Sequence, residues 1–270
     1  MNLQGHSVWV LGAGFLGSAL AGACRTAGAR VLTIDPAAVS CLRGTAADLA
    51  VLEHALERLV PDIVYCCTAT RGGSAEDYRQ AYLAPVLNLA QLLRQTRVVF
   101  CSSTSVYGAC RGEVVTEATP PRAGAPRAGI LLQAERVVLE SGGVVARLAP
   151  LFGPGRCELL RRYFCAQPGL PGTDDRLLNY LHRDDAVQAL LLLGTRSWLP
   201  EGVFNVSGEC FTRGAVYAAL EAEFGMAPEE EAMPPSLRGV SDMLVDCSRL
   251  RRLGWNPAWT MLAFAREWRR

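Results

Sequence analysis

Three glycines spaced Gly12-x-Gly14-x-x-Gly17 follow the apolar run at residues 8–11 and open a helical pattern, and an acid, Asp35, lies 18 residues beyond the last of them. This arrangement suits the cradling of a diphosphate. The first glycine permits a tight turn, the second lets the backbone approach the phosphates, and the third lets helix pack closely on strand. The helix start adds amides without partners and the positive end of a dipole. A carboxylate ending the next strand accepts both hydroxyls of an adenosine ribose and repels a 2′-phosphate. NAD is therefore the expected cofactor and NADP the alternative. Asp35 also precedes Pro36 and could simply open a turn. Asp48 either caps a helix or reaches an adenine.

The elements that must position these residues follow from periodicity. Residues 8–11, 30–34, 63–67, 98–101 and 144–148 read as strands, the second ending in Asp35. Between them, Leu16, Leu20 and Cys24 mark a helix that Gly28 stops. Leu49, Leu52, Leu56 and Val60 mark a second that Pro61 breaks, Tyr82, Val86, Leu89 and Leu93 a third, and residues 130–139 a fourth. Residues 71–74 and 108–126 read as loops. Continuously apolar strands alternating with helices predict an α/β fold, a Rossmann-type doubly wound parallel sheet. The expected division is a dinucleotide-binding domain over residues 1–152 and a smaller substrate lobe over 153–270, with some elements returning to the sheet. That lobe holds a buried helix at 185–193, a helix with Thr212 as N-cap and Val216, Leu220 and Phe224 on one stripe, an acidic loop at 228–235, and a short helix at 248–253 ending at Gly254.

Composition narrows the function. The net charge is +1 and half the residues are apolar, so no electrostatic footprint for nucleic acid is expected. No apolar run approaches the ~20 residues of a membrane helix, and with a strand so near the N-terminus no signal peptide is expected. The 10 cysteines form no C-x-x-C pair and read as buried small hydrophobes in a reducing cytoplasm, with no metal site. All 27 basic residues are arginine; the chain has no lysine.

The segments Val10-Leu-Gly-Ala-Gly-Phe-Leu-Gly17, Ser102-Ser-Thr-Ser-Val-Tyr-Gly108, Arg147-Leu-Ala-Pro-Leu-Phe-Gly-Pro-Gly155, Asn179-Tyr-Leu-His-Arg-Asp-Asp185, Phe204-Asn-Val-Ser207 and Leu253-Gly-Trp255, in this order, resemble the extended short-chain dehydrogenase/reductase superfamily of nucleotide-sugar epimerases and dehydratases. The resemblance implies a cofactor site of Gly12, Gly14, Phe15, Leu16, Gly17, Asp35 and Thr68. It implies a catalytic serine at Ser103, with Thr104 beside it where 4,6-dehydratases place Asp-Glu. The family's Tyr-x-x-x-Lys pair falls on Arg127 and Leu131, counted back from Glu135. Neither side chain can shuttle protons. The chain thus resembles an atypical branch.

The substitute proton donors are Tyr107 and His182, which the resemblance makes mostly structural. Arg127 and Arg156 could bind a substrate carboxylate or phosphate through their planar forks. Three functions are compatible: an NAD(P)-dependent oxidoreductase acting on a small carbonyl, imine or sugar-like substrate, a nucleotide-sugar-type epimerase, and a dinucleotide-binding protein without catalysis. Superfamily homodimers commonly pair two helices per subunit, here those at 82–93 and 130–139.

Overall fold

The computed structural model describes residues 2–37, 42–70, 72–108, 110, 112–122, 126–195, 202–225 and 242–268. β1 (Ser7–Leu11) is five consecutive buried residues, as a strand covered on both faces must be. It runs through the glycine turn into α1 (Phe15–Thr26). β2 (Arg30–Asp35) and the two-residue β3 (Leu42–Arg43) lie to one side of β1. α2 (Leu49–Arg58) is capped by Asp48, whose carboxylate accepts the Ala50 amide at 3.0 Å, so this acid serves the helix. The helix ends before Val60, which is 69% exposed instead of joining the apolar face. β4 (Ile63–Cys66) then pairs with β1 from its other side.

The helix after β4 is interrupted. α3 (Ala75–Tyr78) passes through a π-helical turn at Arg79–Leu83 into α4 (Ala84–Leu92). β5 (Arg97–Ser103), a 3₁₀ turn at Thr104–Tyr107, β6 (Glu113–Val115), α5 (Pro126–Glu140) and β7 (Val144–Leu148) follow. The remaining elements are β8 (Leu151–Phe152), α6 (Glu158–Phe164), β9 (Leu177–His182), α7 (Arg183–Thr195), β10 (Gly202–Val206), β11 (Glu209–Thr212), α8 (Arg213–Phe224), β12 (Met243–Val245), α9 (Ser248–Arg251) and α10 (Met261–Trp268).

Seven parallel strands form the central sheet in the order β10-β7-β5-β4-β1-β2-β3. The strand order reverses at β1, which opens a crevice at the carboxyl ends. β11, β9 and β8 make a second sheet, and β12 pairs with β6, inside a stretch that reads as loop in sequence. Phe152, Leu159, Leu160, Leu178, Leu220 and Phe264 belong to a second hydrophobic cluster, whereas α7, β10 and β12 bury their side chains in the first. The acidic segment at 228–235 lies outside the described residues. The outer margin of β10 is closed by side chains: Glu117 accepts the Asn205 amide at 2.9 Å, Arg249 donates to the Val203 carbonyl at 2.9 Å, and the Ser207 amide meets Cys247 Sγ at 3.1 Å.

Candidate functional site: the crevice at the strand ends

The three glycines of the turn are required for different reasons. Gly12 has φ +86°, and a Cβ there would stand 2.9 Å from the Cys67 carbonyl and the Thr68 backbone. A Cβ on Gly17 would collide with the Gly12 carbonyl oxygen. Gly14 has nothing within 4 Å of its Cβ position, so no contact within the described protein excludes a side chain there. Gly14 is also the N-cap of α1, without a side-chain cap and with no acid in the first turn. The amides of Phe15 and Leu16 stand at the positive end of the helix without a side-chain cap.

Asp35 touches this loop directly. The Ala13 amide donates to its Oδ2 at 2.7 Å and the Ala37 amide to its Oδ1 at 2.8 Å. Each carboxylate oxygen keeps a lone pair for a further donor. Thr68 follows β4, and its hydroxyl donates to the Ala81 carbonyl in the π-helical turn at 2.5 Å.

Three residues assigned from sequence stand at the end of β5 and in the 3₁₀ turn that follows it. Ser103 Oγ accepts the Ser105 amide at 3.1 Å, which leaves the hydroxyl proton to donate. Thr104 is buried. Tyr107 is 1% exposed. Its oxygen lies 2.7 Å from Asn205 Oδ1 and 3.0 Å from the Thr116 carbonyl, and accepts from Arg147 Nη1 at 3.1 Å. Burial raises the phenol's pKa despite Arg147. Arg127, at the start of α5, is exposed and places its guanidinium 5.6 Å from the Tyr78 ring centroid.

His182 and Arg156 sit across the crevice. His182 is 1% exposed and stacks on Trp259, with centroids 4.4 Å apart. Its Nδ1 accepts the Asp184 amide at 3.2 Å and its Nε2 has no partner among the described residues. Burial lowers its pKa, so the ring is neutral. Arg156 closes a tight turn with Gly153. Asp35 thus holds the glycine turn from one side, Arg156 lies over Phe15 at the start of α1, and Thr104, Tyr107 and His182 are buried.

Two groups escaped the sequence reading. Glu135 on α5 and Arg147 on β7 form a buried bidentate ion pair, Nη2 to Oε2 at 2.6 Å and Nε to Oε1 at 3.0 Å, and Ser102 donates to the same carboxylate at 2.6 Å. An arginine within the run Val-Val-Ala-Arg-Leu was its only signal. Tyr78 precedes the π-helical turn and Tyr82 lies within it, with ring centroids 5.1 Å apart, and the Thr70 amide donates to the Tyr82 phenol at 3.3 Å. Leu131, one helical turn beyond Ala128 on α5, is buried.

A model of the NAD dependent epimerase/dehydratase family matches residues 8–207, from β1 to just past β10. The chain belongs to this family. Its members are enzymes, and NAD is the cofactor the family is named for. Protein YeeZ of Escherichia coli K12 is 27% identical over 194 residues, covering 70% of this chain and 67% of that protein. UDP-glucose 4-epimerase of Thermus thermophilus, solved with NAD, superposes with a TM-score of 0.80 at 25% identity over 96% of each chain. MoeE5, solved with UDP-glucuronic acid and NAD, gives 0.82 at 24% identity, covering 97% of this chain and 98% of that one. The epimerase/dehydratase crevice of this chain fits a dinucleotide on its own evidence: an open Gly14, an uncapped helix start, and Asp35 holding the loop from the end of β2. No helix among the described residues is long and apolar enough to cross a membrane.

Proposed function

We propose that the chain is an NAD-dependent oxidoreductase acting on a small carbonyl, imine or sugar-like substrate held between the end of β5 and the smaller lobe. The observation that carries this reading is the open space at Gly14 beside the uncapped start of α1. The Phe15 and Leu16 amides hold the diphosphate there, and Asp35 accepts the ribose hydroxyls while repelling a 2′-phosphate. Bound NAD would supply the hydride-transfer chemistry. Ser103 donates its free proton in a hydrogen bond to the substrate oxygen. Tyr107 and His182 are left to structural roles, because both are buried and the phenol is already surrounded by partners. Tyr78, half-buried at the end of α3 with its ring 5.6 Å from the guanidinium of Arg127, which stands at the position the resemblance gives to the family's tyrosine, is the candidate to give a proton. General acid help of this kind is worth roughly 10²–10⁴-fold.

The test is titration with NAD⁺, NADH and their phosphorylated forms, followed by nicotinamide absorbance against a panel of aldehydes, ketones and imines. Expected are binding that favours NAD over NADP, turnover of at least one carbonyl class, and loss of that turnover in Ser103→Ala and Tyr78→Phe with cofactor binding retained. Binding without turnover, unaffected by either substitution, overturns catalysis and leaves a dinucleotide-binding protein. A second reading, epimerisation of a nucleotide-linked sugar, is supported by the likeness to the Thermus enzyme at 25% identity. Interconversion of UDP-glucose and UDP-galactose without net change in NADH would favour it.

A further inference from the structure

Two guanidinium groups meet over one phenyl ring at the mouth of the crevice. Arg156 Cζ lies 5.2 Å and Arg183 Cζ 5.4 Å from the Phe15 ring centroid. Phe15 is the first residue of α1, so its own amide is one of the unpaired donors at the helix start. Arg156 lies in the turn after β8, and Arg183 belongs to a helix that packs on α1. Arg156 ends a turn closed reciprocally, Gly153 amide to Arg156 carbonyl at 2.9 Å and Arg156 amide to Gly153 carbonyl at 2.8 Å. Arg183 opens α7.

The local charge is unbalanced. Arg183 Nε donates to Asp184 at 2.8 Å, but Arg156 makes no ion pair among the described residues, and α1 contributes no acid in its first turn. Two like charges and the positive end of a helix repel one another unless an anion lies between them. A third donor faces the same gap. With Nδ1 of His182 accepting a backbone amide, the neutral ring carries its proton on Nε2, and that atom is buried without a partner among the described residues. It lies 3.3 Å from the Cβ position of Gly153, a point 3.2 Å from both Phe15 Cζ and Arg183 Cβ.

We infer that Arg156, from the turn after β8, and Arg183, at the start of α7, close on the diphosphate of the dinucleotide beside the amides of α1. The inference rests on the dinucleotide reading above and goes beyond it: side chains from two further elements hold the cofactor that α1 begins to hold. A planar fork suits a phosphate in two-pronged contact.

The experiment is calorimetric titration of the full chain with NAD⁺ and with ADP-ribose, at several salt concentrations, in wild type, Arg156→Gln, Arg183→Gln, the double variant and Arg156→Lys/Arg183→Lys. Each glutamine substitution should raise Kd about tenfold for both ligands, the value of one charge-assisted contact. The double variant should show a shallower salt dependence, and the lysine pair should recover most of the affinity. A double variant that binds with wild-type Kd and wild-type salt dependence overturns the clamp and leaves the dinucleotide reading standing. A wild type that binds neither NAD⁺ nor NADH overturns both. Should the double variant fail to fold, wild-type affinity independent of salt overturns the clamp.

Discussion

Gly14 and Gly17 are three residues apart on one turn and answer to different constraints. A Cβ on Gly17 runs into the Gly12 carbonyl, whereas one on Gly14 meets nothing within 4 Å. Gly17→Ala should therefore unfold the turn and lower the melting temperature or abolish soluble expression. Gly14→Ala should melt within a few degrees of wild type, about the spread of an ordinary surface change, and lose NAD affinity in a binding titration. Equal loss of stability in the two variants would contradict the geometry. His182 supplies a pH test. Burial first, and Arg183 to a smaller degree, push its pKa below the ordinary 6.5, against Asp184 and Asp185, which raise it. Above that value both folded and unfolded chains hold a neutral ring, and stability is undiminished. As pH falls through 6.5 the unfolded chain takes up a proton that the folded one refuses, so stability is lost. Thermal melts between about pH 7 and about pH 5 should fall more steeply in wild type than in His182→Gln.

At the scale of elements, the joint between α5 and β7 is the buried pair Glu135–Arg147, with side chains 4% and 5% exposed. Removing one partner strands a charge. Glu135→Ala should cost about 3–5 kcal/mol by chemical denaturation, and the apolar pair Glu135→Leu/Arg147→Met should recover most of it. A loss below about 1 kcal/mol in the single variant would mean that water reaches Arg147. Where a long apolar period decided the matter, sequence and structure agree: β1, α1, β2, β4, β5 and β7 stand where their patterns put them, and Thr212 caps α8 by accepting the Ala215 amide at 3.2 Å. The short strands were illegible. β6 and β12 hold three residues each and pair across more than a hundred positions, too few to show alternation and too distant to signal one another. The spacing of Tyr82, Val86, Leu89 and Leu93 reads as one continuous helix and hides the π-helical turn in which Tyr82 lies.

For the molecule as a whole, the cofactor is predicted to act as a strut between the start of α1, the start of α7 and the Gly153–Arg156 turn. NAD at a hundredfold excess over Kd should add about 2.7 kcal/mol to the unfolding free energy, and the melting temperature should rise by several degrees, about 2–4 °C for each kcal/mol in a chain near this size. No shift at saturating NAD would contradict binding to the folded state. The glycine turn and Asp35 were legible because their residues are close in the chain and need only one strand–turn–helix unit. The crowding of Arg156 and Arg183 against Phe15 was not, since it joins three separate elements. One further consequence comes from the flanks of the central sheet. β3 is two residues long, and on β10 the outward groups of Val203, Asn205 and Ser207 are already engaged by Arg249, Glu117 and Cys247. Neither rim, among the described residues, presents a ladder of idle donors and acceptors for a foreign strand to zip onto. Self-association of this protein is thereby steered away from continuous-sheet growth and toward its helical faces, where the exposed Leu87 of α4 offers an apolar foothold.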